Sequence, residues 1–177
     1  QAAEKVDQIF MCFGGVDPYA LSERFLNYIL EYKPEMKVVV ATNSKDVEKS
    51  LQDFVQSRNI ESVLIHRGLG VNEMIEVLRT SSIAIIPSST ISLECMCVGI
   101  DLLTGYFGDN QEILARKISD LELGHNLGDL RTTSYEEFID ALATVKSKSY
   151  VSRQKSLFSS DSRRNLLEII HNLRNEK

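Results

Sequence analysis

The sequence contains few cysteines, and their spacing suggests neither a disulfide framework nor a metal site. Only three are present, Cys12, Cys95 and Cys97, and no C-x-x-C pattern occurs. This odd count predicts reduced thiols and a cytoplasmic protein. Cys95 and Cys97 are two residues apart on a predicted helix, so they point to different faces. The histidines also lack the spacing of metal ligands. We therefore expect no metal site.

Long hydrophobic runs and an excess of positive charge are also absent. No apolar run reaches the roughly 20 residues that a membrane span requires. The net charge of −5 argues against nucleic acid as the main partner, because a phosphate backbone needs a basic surface. A single nucleotide could still be held by a few backbone amides. No signal peptide is visible in the sequence. Because the chain begins with Gln1 and not with Met, we expect further sequence upstream.

Two nucleotide-binding motifs are missing as well. The sequence contains no G-x-G-x-x-G fingerprint, which disfavours a nicotinamide or flavin dinucleotide site. It also lacks the G-x-x-x-x-G-K-[ST] loop of P-loop ATPases. Together with the expected absence of a metal site, this leads us to predict no cofactor.

The sequence instead contains a regular alternation of strand-like and helix-like segments. Short apolar runs predict strands over residues 7–13, 36–41, 62–66, 83–86, 101–107 and 125–130. Helical spacing of apolar residues predicts helices over residues 20–32, 46–58, 72–80, 91–98, 110–123, 135–145 and 163–174. The fold class predicted for residues 1–177 is α/β, a single Rossmann-like domain. We expect a doubly wound parallel sheet of about six strands, covered on both faces in three layers.

One stretch departs from this alternation. Residues 147–162 are rich in serine, lysine and arginine. We interpret them as a connection between helices or a poorly packed segment, and not as a domain boundary.

The segment that follows the fourth predicted strand carries the strongest signal for a ligand. An apolar run stops at Pro87, three small hydroxyl residues follow (Ser88, Ser89 and Thr90), and Glu94 lies about one helical turn further on. Unpaired amides at a helix start can bind a phosphate, and a carboxylate one turn along can accept hydrogen bonds from a ribose diol. The alternative interpretation is a strand, a turn and an ordinary helix cap.

Three further loops follow predicted strands, where ligands bind in open parallel sheets. Gly14 and Gly15 would let the backbone pass close to a ligand, although a tight turn is the alternative; Asp17 can cap the next helix. The backbone of Gly68 and Leu69 could pair with the edge of a base, and Arg67 could lie near a phosphate or on the surface. In the last loop, Asn110 and Gln111 could bind sugar hydroxyls or simply cap the helix that they begin.

The order of these motifs resembles the C-terminal half of GT-B nucleotide-sugar enzymes. The matching segments are Phe13-Gly-Gly-Val-Asp-Pro, Ser88-Ser-Thr-Ile-Ser-Leu-Glu and Asp109-Asn-Gln. The sequence looks most like the UDP-sugar hydrolase of pseudaminic acid biosynthesis. It is more distantly similar to the N-acetylglucosaminyltransferase that makes lipid II. The resemblance extends from about Ile9 to Ile170.

The resemblance implies that this domain binds the UDP part of a UDP-sugar. It assigns the phosphates or sugar to Gly14 and Gly15, the uracil to the backbone of Gly68 and Leu69, the pyrophosphate to Ser88, Ser89 and Thr90, the ribose hydroxyls to Glu94, and the donor sugar to Asn110 and Gln111. We include Asp17 in the same predicted nucleotide-sugar site.

Two departures from the family pattern limit what the resemblance implies. The family's glycine-rich segment before the last helix is replaced here by Ser-Ser-Asp-Ser after Phe158. The N-terminal half, which supplies the acceptor side and the general base of the hydrolase, is not in this sequence, so the catalytic residues are unknown. We expect that half to be a partner, in the same gene or as a separate subunit.

Two functions are therefore predicted. One is a UDP-sugar-binding domain of a glycosyltransferase or nucleotide-sugar hydrolase in polysaccharide or nonulosonate biosynthesis. The other is a non-catalytic nucleotide-binding or interaction domain on the same scaffold.

Overall fold

The computed structural model describes residues 6–158, and within them one fully parallel sheet organises the chain. The strands are β1 (Val6–Met11), β2 (Lys37–Thr42), β3 (Val63–Arg67), β4 (Ser81–Pro87), β5 (Asp101–Tyr106) and β6 (His125–Asp129). They lie in the order β3-β2-β1-β4-β5-β6, and every neighbouring pair is parallel. The predicted six-stranded, doubly wound sheet is confirmed.

Helices cover both faces of this sheet. Those described are α1 (Leu21–Tyr32), α2 (Lys45–Ser57), α3 (Val71–Thr80), α4 (Thr90–Val98), α5 (Asp109–Asp120), α6 (Tyr135–Ser147) and α7 (Val151–Leu157). One hydrophobic core joins α1, α2 and α6 to the sheet through Phe25, Leu51 and Phe138. A second core, on the other face, joins α3, α4 and α5 through Leu78, Met96 and Ile118. The predicted three layers are therefore present.

The strand order creates a crevice between β1 and β4. From β1 the chain winds outward to β2 and β3, whereas from β4 it winds the opposite way to β5 and β6. Met11 of β1 pairs with Ile85 of β4, so the loops after these two strands begin side by side and then diverge. Ligands of open α/β sheets bind at such a point, outside the carboxyl ends of the strands.

Helix α7 lies in the stretch that we predicted to be a connection or poorly packed, and that prediction is wrong. The side chain of Gln154 is fully buried, and its Nε2 donates to the carbonyl oxygens of Ile100 (3.0 Å) and Leu123 (2.7 Å). Because the best-buried residue of the helix is polar, no apolar stripe marks it in the sequence. The helix predicted over residues 163–174 lies outside the described residues.

Candidate functional site

Ser88 directly follows β4 and turns its polar groups inward. Its N–H donates to the carbonyl oxygen of Gly105 (2.8 Å), and its hydroxyl lies 2.9 Å from the hydroxyl of Thr104. The side chain is 1% exposed. Both groups are therefore satisfied within the sheet. The predicted contact between Ser88 and a pyrophosphate does not fit this geometry, because the strand continues to Pro87 and points the next side chain into the core.

The beginning of α4 remains open to a ligand. Ser89 is the N-cap residue in an extended conformation, and its side chain makes no capping hydrogen bond. Ser89 is partly buried and Thr90 is exposed. The first amides of a helix have no partner within it, and they carry partial positive charge. The N–H of Ser92 already donates to the carbonyl oxygen of Ser89 (3.0 Å), so the amides before it are the ones open to an anion. Anion binding at Ser89 and Thr90 stays a prediction.

Glu94 and Leu69 come together at a cavity between α3 and α4. The cavity has a volume of about 550 Å³, and Thr90, Glu94, Leu69, Met74 and Cys97 are among its lining residues. Glu94 is exposed at this cavity and is not turned into the core. Residues predicted from two separate loops to meet a base and a ribose thus line one space.

The backbone of Gly68 is positioned by β2. Its φ of +70° is a conformation that glycine adopts readily, and its N–H donates to the carbonyl oxygen of Thr42 (3.0 Å). A base contact from Gly68 would therefore use its carbonyl oxygen. Arg67 pairs with Glu48 at 2.8 Å, which supports the surface interpretation of this arginine.

The glycine loop after β1 lies across the crevice from the beginning of α4. Gly14 and Gly15 are exposed, and Gly14 has a φ of +86°. Asp17 is buried, and its two carboxylate oxygens accept the N–H groups of Leu21 and Ser22, each at 2.8 Å. The capping role predicted for Asp17 is confirmed. Because both oxygens bind the first turn of α1, this carboxylate holds the loop and is not free for a ligand.

The beginning of α5 supplies the remaining predicted residues. Asn110 is exposed, whereas the Oε1 atom of Gln111 accepts the N–H of Phe107 at 3.1 Å. Gln111 therefore fixes the end of β5 and keeps its side-chain NH₂ group for other contacts. Asn110 can reach solvent and a ligand directly.

Two cysteines belong to this region, and our sequence interpretation did not include them. Cys12 follows β1 and is partly buried; burial raises the pKa of its thiol, and the negative charge of Glu94 raises it further. Cys97 is exposed and lines the same cavity as Glu94. The sequence signals were the position of Cys12 just before the glycine loop and the i, i+3 spacing of Cys97 from Glu94.

A larger cavity, of about 820 Å³, lies at the opposite end of the sheet. It is lined by residues around the beginnings of β2 and β3, including Lys37 and Ser62, and by none of the predicted site residues.

Within residues 6–158, no three potential metal-binding side chains of His, Cys, Asp or Glu cluster together. No helix of the same part of the chain has the length and hydrophobicity to cross a membrane.

Comparison with known proteins identifies the fold. No protein-family model and no curated protein match the sequence. Among solved structures, Acinetobacter baumannii MurG matches 97% of this chain and 51% of its own, with a TM-score of 0.70 and 11% identity. The glycotransferase of kitacinnamycin matches 89% of this chain and 39% of its own, with a TM-score of 0.65 and 14% identity.

A third similar structure was determined with ligands. Methanocaldococcus jannaschii UDP-GlcNAc 2-epimerase, in complex with UDP-GlcNAc and UDP, covers 82% of this chain at a TM-score of 0.59 and 15% identity. The chain spans about half or less of the length of these three proteins. At such identities the likeness shows a shared Rossmann-like fold, found in glycosyltransferases and UDP-GlcNAc 2-epimerases. The closer resemblance to the hydrolase stays a prediction.

Proposed function

We propose that this chain is the UDP-sugar-binding domain of a glycosyltransferase or nucleotide-sugar hydrolase. One observation carries the proposal: Leu69, Thr90 and Glu94 line a single cavity beside the uncapped beginning of α4. The fold supports it, because α4 begins after β4 at the crevice between β1 and β4, where open α/β sheets bind ligands.

The cavity suits a nucleoside. Its walls include the apolar side chains of Leu69, Met74 and Leu93, against which a flat base can pack. Glu94 is exposed at the cavity and can accept hydrogen bonds from both hydroxyls of a ribose. Backbone atoms of the loop at Gly68 and Leu69 would contact the edge of the uracil.

A diphosphate would lie between the beginning of α4 and the glycine loop. The amides of the first turn of α4 provide fixed donors and a favourable dipole. Gly14 and Gly15 have no side chain to obstruct the approach of the phosphate oxygens. With a net charge of −5, the chain would bind this anion through backbone groups and not through a broad basic surface.

The chemistry that follows from this arrangement is electrostatic. Donors fixed at the beginning of α4 would stabilise the negative charge that develops on the diphosphate as the bond to the sugar breaks. The proposed pathways are polysaccharide or nonulosonate biosynthesis. We propose that a second domain supplies the acceptor side and the general base, in keeping with the greater length of the similar structures.

Thermal unfolding with a panel of nucleotides tests this proposal. At 100 times its dissociation constant a ligand stabilises the folded state by about 2.7 kcal/mol. We expect UDP to raise the melting temperature and inorganic phosphate to leave it unchanged, with ADP giving a smaller effect than UDP. Glu94→Ala should reduce the stabilisation by UDP. Glu76→Ala should not, because it removes an exposed carboxylate of α3 that does not line the cavity. No stabilisation by any nucleotide would favour the alternative of an interaction domain.

A further inference from the structure

An aromatic contact crosses the carboxyl end of the sheet above β4. Tyr19 belongs to the loop between β1 and α1, and its ring lies edge-on to that of Phe107, with the ring centroids 6.0 Å apart. Phe107 directly follows β5. Because β4 lies between β1 and β5 in the sheet, this pair bridges two loops that flank the beginning of α4.

A third loop, the one after β6, holds the same tyrosine. The guanidinium of Arg131 lies 5.7 Å from the centroid of the Tyr19 ring, which is a cation–π distance. Asp129 fixes that guanidinium through hydrogen bonds from Nε and Nη2, the shortest of which is 2.7 Å. Arg24 of α1 donates to the carbonyl oxygens of Leu130 and Arg131. These hydrogen bonds are a second contact, besides that of Arg131 with Tyr19, between this loop and the segment from Tyr19 to α1.

The Tyr19 ring contacts these neighbours although it is not part of the core. Its exposed fraction is 48%, so hydrophobic burial alone gives little reason for its position. Its contacts connect the loop of Gly14 and Gly15 with the loop that leads to Asn110 and Gln111. The first loop carries the glycines predicted to face the phosphates or sugar, and the second carries the residues predicted to face the sugar. Base and ribose would lie in the cavity between α3 and α4.

We propose that Tyr19 is a positioning residue for the sugar half of the donor, held by Phe107 and Arg131. This inference rests on the proposed function, since it assigns the sugar to the two bridged loops. The ring keeps the glycine loop at a fixed distance from the beginning of α5. Loss of the ring therefore weakens binding of a UDP-sugar more than binding of UDP, because only the UDP-sugar contacts both bridged loops.

Hydrogen exchange of the ligand-free protein tests the bridge independently of any nucleotide. In Tyr19→Ala, we expect faster exchange of backbone amides over residues 13–20 and 106–111. Tyr19→Phe keeps the ring and should exchange like the wild type. Tyr32→Ala is the matched control, because Tyr32 also has an exposed fraction of 48% but lies at the far end of α1. Unchanged exchange over residues 106–111 in Tyr19→Ala would overturn the bridge.

Calorimetric titration then tests the role in sugar binding. The probes are UDP and whichever of UDP-GlcNAc, UDP-GalNAc and UDP-glucose binds the wild type most tightly. For Tyr19→Ala we expect a loss of roughly three- to tenfold for the UDP-sugar, the size of one aromatic pair with its cation–π contact. The loss for UDP should be smaller, because UDP contacts the glycine loop through its phosphates but has no sugar to reach the loop before α5.

The outcomes separate this inference from the proposed function. Wild-type affinity for the UDP-sugar in Tyr19→Ala, or an equal loss for UDP and UDP-sugar, overturns the positioning role while the nucleotide site stands. A wild-type protein that binds neither probe overturns the proposed function and the sugar role together. The exchange measurement still decides the bridge in that case.

Discussion

The hydroxyl of Ser88 donates to the hydroxyl of Thr104, 2.9 Å away, and Thr104 donates in turn to the carbonyl oxygen of Ile86. The direction is fixed because the single hydroxyl hydrogen of Thr104 is already used. This buried pair ties the residue between β4 and the N-cap of α4 to β5. We therefore expect Ser88 to hold the chain between β4 and α4 in place, and Ser89 and Thr90 to contact a ligand.

Replacement of Ser88 should separate stability from binding. We expect Ser88→Ala to lower the free energy of unfolding by about 0.5–1.5 kcal/mol, since a buried hydrogen bond is lost. The dissociation constant for UDP should stay within about twofold of the wild-type value. Ser89→Ala is the matched control for stability, because the Ser89 side chain makes no capping bond. Weaker UDP binding by Ser88→Ala without a loss of stability would contradict this assignment.

Two glycines should respond differently to alanine. A Cβ atom added at Gly105 would lie 2.6 Å from the carbonyl oxygen of Gly128 and 2.6 Å from Leu130 Cδ2. We expect Gly105→Ala to lower stability by about 1–3 kcal/mol through overpacking. At Gly15 the nearest atom would be Asn43 Cβ at 3.8 Å, so Gly15→Ala should fold normally.

The same pair tests the approach of a ligand to the glycine loop. Chemical denaturation measures stability, and titration with UDP measures affinity. We expect Gly15→Ala to keep its stability and to bind UDP more weakly, because the added methyl group occupies space next to the phosphates. Unchanged affinity would place the ligand away from this loop.

The capping box of α6 predicts a specific dependence of stability on pH. The N–H of Ser134 donates to Glu137 Oε2 at 2.8 Å, and the hydroxyl of Ser134 accepts the N–H of Glu137 at 3.2 Å. Hydrogen bonds to its carboxylate, first from the backbone N–H and then from the side chain of Ser134, hold the pKa of Glu137 below its ordinary value of 4.5. A lowered folded-state pKa means that the stabilisation is complete above pH 4.5 and is lost as the pH falls through the folded-state pKa.

Melting temperatures of wild type and Glu137→Gln, from about pH 7 down to about pH 3, measure this contribution. The wild type should be the more stable at neutral pH, and the difference should shrink below pH 4.5. Glu136→Gln is the control, because Glu136 lies in the same turn but outside the capping box. A difference in melting temperature that stays constant across the range would show that ionisation of Glu137 does not contribute to stability.

Most of the fold could be predicted from the sequence because its strands are short apolar runs between amphipathic helices. The run from Val38 to Ala41 is buried on both faces and shows this pattern clearly. Helix α7 could not be predicted, since Gln154 is buried for its hydrogen bonds and gives no apolar periodicity. Hydropathy detects only burial that is driven by apolar surface.

The candidate site was predictable as a set of loops but not in its atomic detail. Parallel strands bring their carboxyl ends to one edge, so the loops at Gly14, Leu69, Thr90 and Asn110 all begin at the same edge of one sheet. Which of the three consecutive hydroxyl residues points inward depends on where β4 ends, and that depends on its pairing with β5 at Gly105. The contact between Tyr19 and Phe107 joins residues far apart in the sequence, and no local pattern signals it.

The central claim is that Glu94 binds the ribose hydroxyls of a uridine nucleotide held at α4. Calorimetric titration of wild type and Glu94→Ala with UDP and with 2′,3′-dideoxy-UDP tests it most directly. We expect Glu94→Ala to weaken UDP binding by about 1–3 kcal/mol, the range for a charge-assisted hydrogen bond, and to have little effect on the dideoxy nucleotide. Equal UDP affinity in the two proteins, or the same loss for both nucleotides, would contradict the assignment.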